Sequence, residues 1–239
     1  MKKIIKSILF AIGIDITQNQ KYDRQTLQIM SKSIKPNSNC IDIGCHKGEM
    51  LEIMFKHAPQ GKHYAFEPIP QMYDDLLKNF NGPNFKIFPI ALCETKGETT
   101  FNHVKNAPAY SGIKQREYNI KNPEISQITV KTDLLDNIIP SDEKIDFIKI
   151  DVEGAELNVL KGAEKTIIKN QPLIIFECGI GASDYYNTKP EEVFEFLTIN
   201  CGLKISLLID WLKSANSLSL DGFCENYSKK INYYFVAHP

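Results

Sequence analysis

The chain has 239 residues, of which 43% are hydrophobic and 24% charged, and its formal net charge is −1. That length holds one large α/β domain with a full core, and the balanced charge excludes the broad electrostatic affinity of a nucleic-acid binder. Its six cysteines (Cys40, Cys45, Cys93, Cys178, Cys201, Cys224) form no Cys-x-x-Cys pair and sit mostly in apolar runs. They read as buried thiols in a reducing, cytoplasmic compartment, which argues against a disulfide frame or a zinc site.

Residues 1–14 join a basic start (Lys2, Lys3, Lys6) to an apolar run. No small-x-small cleavage site follows, and the run is too short to span a bilayer. We read residues 1–35 as an N-terminal helical appendage, with weak peripheral membrane contact through residues 1–14 left open. Residues 36–239 form the main domain. Leu27, Met30 and Ile34 keep helical spacing until Pro36 breaks it. A short apolar strand over residues 40–43 leads into a glycine-bearing turn, then a helix carrying Met50, Leu51, Met54 and Phe55. Residues 63–66 form the second strand, and Met72, Leu76 and Phe80 mark the helix after it.

Further strands are expected at residues 85–90, 145–150 and 173–176, the last apolar throughout, as in a strand covered on both faces. Leu157, Leu160, Ala163 and Ile167 lie on one face of a helix between the last two. Residues 190–199 read as helical, with Pro190 suited to the first turn. Residues 203–209 and 231–237 then read as a closing antiparallel pair with no helical pattern between them. Alternation at Thr99, Phe101 and His103, and again at Ile128 and Val130, predicts an inserted hairpin over residues 97–131. Its polar connection, residues 105–125, is long enough to serve as a lid or acceptor-recognition loop. Strand–helix alternation of this kind predicts a doubly wound sheet.

The chemistry gathers where apolar strands end in acids. Asp42 stands two residues before Gly44, and three residues separate Gly44 from Gly48 in the run Ile41-Asp42-Ile43-Gly44-Cys45-His46-Lys47-Gly48. A dinucleotide fingerprint needs a glycine between these two, and a P-loop needs Gly-Lys-Ser/Thr; neither is present. Asp42 suits the ammonium of a methionine moiety as a charge-assisted acceptor. Glu67, at the end of the second strand and before Pro68, suits both hydroxyls of a ribose. Taken alone, the glycine spacing is that of any tight strand–helix turn, and Glu67 that of a solvated strand end. Together they favour S-adenosylmethionine over a dinucleotide. Asp151 and Glu153 follow the fourth strand and Glu177 ends the fifth, so these three carboxylates converge on the same sheet edge. They could orient an acceptor hydroxyl, raise one another's pKa for base work, or share a divalent ion. Glu156 reads instead as support for a helix N-terminus. His46 is expected to touch ligand through its backbone. Tyr110, Ser111, Tyr185, Tyr186 and Trp211 are as suited to an acceptor site as to ordinary surface or core.

The run 41–48, Phe66-Glu67-Pro68, Ala91-Leu92, and Ile148-Lys149-Ile150-Asp151-Val152-Glu153-Gly154-Ala155-Glu156-Leu157 through Ala163 resemble the FkbM-type methyltransferases. The resemblance covers roughly residues 40–178, and Asp-Val-Glu-Gly-Ala-Glu is its most specific block. It implies a Rossmann-like class I methyltransferase fold, with a seven-stranded, mostly parallel sheet and one antiparallel strand, joined here by the inserted β-hairpin and N-terminal helices. It also implies S-adenosylmethionine as methyl donor and O-methylation of a hydroxyl on a sugar, glycan or natural product. Cofactor contacts are implied at Asp42, Gly44, Gly48 and Glu67, with Ala91 and Leu92 near the adenine; Cys45, His46, Pro68 and Asp151 complete the expected cofactor set. Family members commonly carry Ala-Asn where this chain has Cys45-His46. The expected catalytic set is Asp151, supported by Glu153 and Glu177. A metal-assisted enzyme acting on a diol and a nucleoside-binding domain without catalysis are the rival readings.

Overall fold

The computed structural model describes Asp15, residues 17–118 and residues 120–239. The expected membrane-touching segment, residues 1–14, lies outside the described residues. The central strand β1 (Cys40–Ile43) pairs in parallel with β2 (His63–Phe66) on one side and β7 (Phe147–Ile150) on the other. Every residue of these three strands is buried, because helices cover both faces. Strand β3 (Phe85–Phe88) lies outside β2, and β8 (Leu173–Glu177) outside β7, both parallel. Strand β10 (Tyr234–His238) enters antiparallel between β8 and β9 (Lys204–Leu207). The seven-stranded order is β3-β2-β1-β7-β8-β10-β9. Chain direction out of β1 and β7 diverges here, which opens a crevice at their carboxyl ends.

Alternation along the strands sorts the two faces. Ile41, Ile43, Ile148, Ile150, Ile174 and Phe176 pack into one core. Cys40, Phe147, Ile175 and Val236 pack into the other, together with Ile29 and Met30 of helix α1 (Gln18–Ser33). Helix α1, which the sequence places in an appendage, is therefore a core element. Its N-terminus carries a capping box, with Thr17 and Gln20 each bonding the other's backbone. The second face also carries Asp42 and Lys149, direct cross-strand partners in the β1–β7 register. A strand position two residues from its neighbour shares that neighbour's face, so a carboxylate and an ammonium end up side by side beneath α1.

Three expectations change. The run at residues 85–90 breaks at Pro89, whose missing N–H cannot serve a ladder. Its second half becomes β4 (Ile90–Leu92), which leaves the main sheet and pairs with β6 (Ile125–Asp133). Strand β6 also pairs antiparallel with β5 (Gly97–Val104), so the inserted hairpin is part of a three-stranded sheet. The segment between β9 and β10 is helical after all, holding α8 (Leu208–Leu212) and α9 (Leu220–Ser228). Both are short and separated by a polar stretch, so neither sustains a readable period. The first consumes the end of the expected strand 203–209. Helices α2 (Glu49–His57), α3 (Pro70–Asn79), α4 (Leu135–Ile138), α5 (Glu156–Lys161), α6 (Glu164–Asn170) and α7 (Pro190–Glu195) complete the elements the text uses. Among the described residues, no helix is long and apolar enough to cross a membrane.

Candidate functional site

The crevice has two compartments that meet at Gly44, His46, Ala109, Asp151 and Glu153. The first, of about 590 Å³, is walled mainly by apolar groups: Phe66, Ile69, Ala91, Leu92, Phe101, Ile113 and Val152, with Glu67 and Pro68 on its floor. The second, of about 770 Å³, is polar and lined by Asp23, Thr26, Asp42, Lys47, Glu49, Lys149 and Tyr234 among others.

Glycine at position 44 follows from close approach of two strand ends. Its φ is +74°, and a Cβ there would sit 1.9 Å from the Asp151 carbonyl oxygen. Gly48 has a different reason. It lies outside the lining of either compartment, and a Cβ there would strike Phe80 at 2.5 Å. It serves helix packing, with no wall contact to support the implied cofactor role. Cys45 lines the polar compartment only.

Glu67 is 4% exposed and held by two backbone donors: His46 N–H to Oε2 at 3.0 Å and Ile69 N–H to Oε1 at 2.9 Å. Each oxygen keeps a second lone pair for a ligand hydroxyl. Burial pushes its carboxyl up to about 7 despite those donors, with Asp42 adding to the rise. The left-handed φ of His46, +50°, is what turns its N–H back toward Glu67. Burial and the neighbouring Lys47 charge lower the pKa of its imidazole.

Asp42 is 1% exposed, and neither carboxylate oxygen has a hydrogen bond of normal geometry to a described residue. Burial raises it to about 6, with Lys149 and the Leu51 backbone N–H opposing and Asp151 assisting. An unpartnered buried acid costs free energy in the folded protein, so its retention in a cleft wall points to a ligand donor. Lys149 Nζ instead bonds Asp151 Oδ2 at 3.0 Å, and the Tyr234 hydroxyl donates to the same oxygen at 2.7 Å. Burial alone would raise Asp151; the Lys149 charge and the Tyr234 hydroxyl outweigh it and hold the carboxyl below its usual range. Lys149 is correspondingly pushed up to about 12 by Asp151 and Asp42, against burial. Asp151 is therefore an anchored anion with one oxygen, Oδ1, left for a ligand.

The other expected carboxylates are placed differently. Glu153 reaches the crevice but pairs with Arg116 from the insertion, whose Nη1 also donates to the Gly181 carbonyl at 3.0 Å. Glu177 does not line the crevice; burial, with Asp151 and Glu156 nearby, raises it well above the usual carboxylate range. Glu156 takes the supporting role read for it, accepting from Val152 N–H at 3.0 Å and Gly154 N–H at 3.2 Å. Among the described residues, no group of three or more His, Cys, Asp or Glu side chains is arranged to hold a metal ion. The cations facing Asp151 and Glu153 are the protein's own.

The insertion roofs the crevice through Pro108, Ala109, Ser111 and Ile113. It is fastened by Lys114 N–H to the Tyr186 hydroxyl at 3.0 Å and Glu117 N–H to the Tyr185 hydroxyl at 3.1 Å. Those tyrosines thus secure the roof, and Arg116 lies over the Tyr110 ring. Trp211 packs against the α1-side core, away from the crevice lining. Sequence reasoning passed over Lys149, Tyr234, Arg116, Asp23 and Thr26. Only Lys149 left a local signal, as the one charge in the otherwise apolar strand Phe147–Ile150.

The sequence profile of the Methyltransferase FkbM domain matches residues 42–204. The chain is 28% identical over 178 residues to the 2-O-methyltransferase NoeI of Sinorhizobium fredii, covering 68% of this chain and 71% of that one. It is also 28% identical over 163 residues to the methyltransferase sdnD of Sordaria araneosa, covering 56% of this chain and 63% of that one. The crystal structure of methyltransferase FkbM from Methylobacillus flagellatus superposes with a TM-score of 0.53 at 15% identity, over 85% of this chain and 44% of that one. At that identity the superposition speaks to the fold alone.

Proposed function

The chain belongs to the FkbM methyltransferase family, and from that premise we propose that it is an O-methyltransferase using S-adenosylmethionine to methylate a hydroxyl of a sugar, glycan or natural-product acceptor. The observation that carries this reading is the pair of buried carboxylates on the two compartments, Glu67 with spare lone pairs and Asp42 with no hydrogen bond of normal geometry to a described residue. They fit the cofactor's two polar ends. Glu67 would accept from the ribose hydroxyls, Asp42 from the ammonium, and Ala91, Leu92 and Phe101 would flank the base. Gly44 lets the backbone come close between them. The similarity to a 2-O-methyltransferase supports oxygen as the atom methylated.

When bound, S-adenosylmethionine supplies an electrophilic methyl group on a sulfonium, so the protein's work is alignment more than activation. Asp151 Oδ1 accepts the acceptor hydroxyl, while Lys149 and Tyr234 fix the carboxylate through Oδ2. Held anionic and below the usual range, Asp151 is a poor base for a free alcohol. It is adequate for a hydroxyl whose oxygen has already begun to bond carbon, because that proton becomes strongly acidic. The roof formed by residues 108–113 excludes water from this step. Glu153 and Arg116 hold the roof.

Calorimetry with S-adenosylhomocysteine, on wild type and Glu67→Gln, tests the cofactor half. Binding to the wild type and a loss of at least ten-fold in the variant are expected, the size of a charge-assisted hydrogen bond. A folded wild-type protein that gives no heat with either cofactor form refutes the proposal. Methyl transfer from labelled S-adenosylmethionine to hydroxylated acceptors, measured by mass, then tests the oxygen half.

A further inference from the structure

We infer that the chain carries a peripheral surface for an anionic lipid bilayer, made of residues 1–14 together with the exposed pair Ile180 and Ile231, at the crevice end of the sheet. The inference stands whichever acceptor is methylated.

Scattered exposed apolar residues are ordinary, whereas apolar groups gathered at one place mark a contact surface. Ile231 is 51% exposed and Ile180 38%. The sheet gathers them. Strands β8 and β10 pair up to Glu177 and Tyr234, the Cys178 N–H then donates to the Tyr233 carbonyl at 2.8 Å, and Gly179 packs against Tyr233. Ile180 follows at once, and Ile231 stands two residues before Tyr233, so both lie just past the carboxyl edge that opens the crevice. The next carbonyl along, that of Gly181, receives Arg116 of the roof. Exposed Lys230 adjoins Ile231, and Lys229 before it pairs with Glu225.

The same corner receives the start of α1. Asn232 Oδ1 accepts from Gln18 Nε2 at 3.4 Å and from the Tyr22 hydroxyl at 3.1 Å, and the Tyr233 hydroxyl donates to Asn19. Residues 1–14 therefore join the fold beside Ile180 and Ile231. In sequence, Ile4, Ile5, Ile8, Leu9 and Ile12 keep the spacing of one helix face, and Lys2, Lys3 and Lys6 fall on the other. The segment holds three lysines and no acid, so a chain of net charge −1 carries −4 on its remaining residues. A basic face and an apolar face on one short segment fit the boundary between lipid headgroups and acyl chains. Folding the segment back over Ile180 and Ile231 would bury the apolar groups but crowd its lysines toward Lys230. Lipid phosphates satisfy both sets of charges at once.

The test is co-sedimentation of the full chain with phosphatidylcholine vesicles made with and without phosphatidylglycerol. Binding roughly ten-fold or more tighter to the anionic vesicles, and lost at about 0.5 M salt, is expected. Lys2→Gln, Lys3→Gln and Lys6→Gln together should weaken it roughly hundred-fold, about five-fold per lysine. Ile180→Ser with Ile231→Ser, both at exposed positions that leave the fold intact, should weaken it about five-fold with every lysine present. Hydrogen exchange at residues 178–181 and 229–233 should slow when anionic vesicles are added. The inference is overturned if folded wild-type protein ignores anionic vesicles or binds neutral ones equally well. It is also overturned if the serine pair binds as wild type does, because the patch would then take no part. Protection of residues 178–181 and 229–233 that is complete without vesicles overturns it as well, since residues 1–14 or another protein copy would already cover them.

Discussion

Replacing Asp42 by asparagine separates the two demands placed on that residue. The carboxyl is raised from 3.8 to about 6 in the folded protein, so keeping it ionised above that pH costs about 3 kcal/mol. Because the folded pKa lies above the unfolded one, its contribution to stability is fully present below about 3.8 and is lost as pH rises through 6. Asparagine has no such dependence. Its amide would inherit the unpartnered place at a cost of about 1–3 kcal/mol, and Lys149 would lose one of two anions. The balance predicts a variant between equal to wild type and about 2 kcal/mol more stable at pH 8, a rise of up to several degrees in melting temperature. Affinity for S-adenosylhomocysteine should fall about ten- to hundred-fold, the value of a hydrogen bond to an ammonium. Thermal melts between pH 5 and 8, with calorimetry at pH 8, measure both. A variant that binds the cofactor as wild type does, and is less stable at pH 8 by more than about 3 kcal/mol, would show that Asp42 is a structural acid.

Three further outcomes follow from the same contacts. Tyr234→Phe removes the 2.7 Å donor to Asp151, so the Asp151 pKa should rise. The acid limb of the kcat profile then moves to higher pH and kcat drops roughly ten-fold, with S-adenosylhomocysteine affinity unchanged; an unmoved limb would remove Asp151 from the reaction. Gly44→Ala forces a methyl to 1.9 Å from the Asp151 carbonyl oxygen at a left-handed backbone position, and urea denaturation should show a loss above about 3 kcal/mol or no folded protein. Arg116→Ala cuts the roof's bond to Glu153 and to the Gly181 carbonyl. Hydrogen exchange across residues 105–118 should accelerate and cofactor release quicken by several-fold.

Local pattern carried the reading of β1, β2, β7 and β8, because a strand buried on both faces must be apolar whatever surrounds it. Elements stabilised by distant partners were misjudged. Pro89 redirects β4 to a partner forty residues on, and α8 and α9 are too short to print a period. At the site, Asp42, Gly44, Glu67, Pro68, Ala91, Leu92 and Asp151 were all found on the crevice, since each sits at a strand end, where a doubly wound sheet gathers its ligand contacts. Glu177 also ends a strand, yet it does not reach the lining, because strand order says which tips adjoin and not how far each side chain extends.

What the chain order alone determines is the cofactor half: acids and glycines within a few residues of one another, on strands whose register leaves little freedom. What only the folded molecule decides is the electrostatic character of each acid. Asp42 and Asp151 are alike as residues, but burial dominates one and raises it, while the other is bracketed by Lys149 and Tyr234 and lowered. Those partners are brought from β7 and β10, and the polar compartment's wall from α1. Charge interactions depend on separation in space and on exclusion of water, and neither quantity is written along a linear sequence.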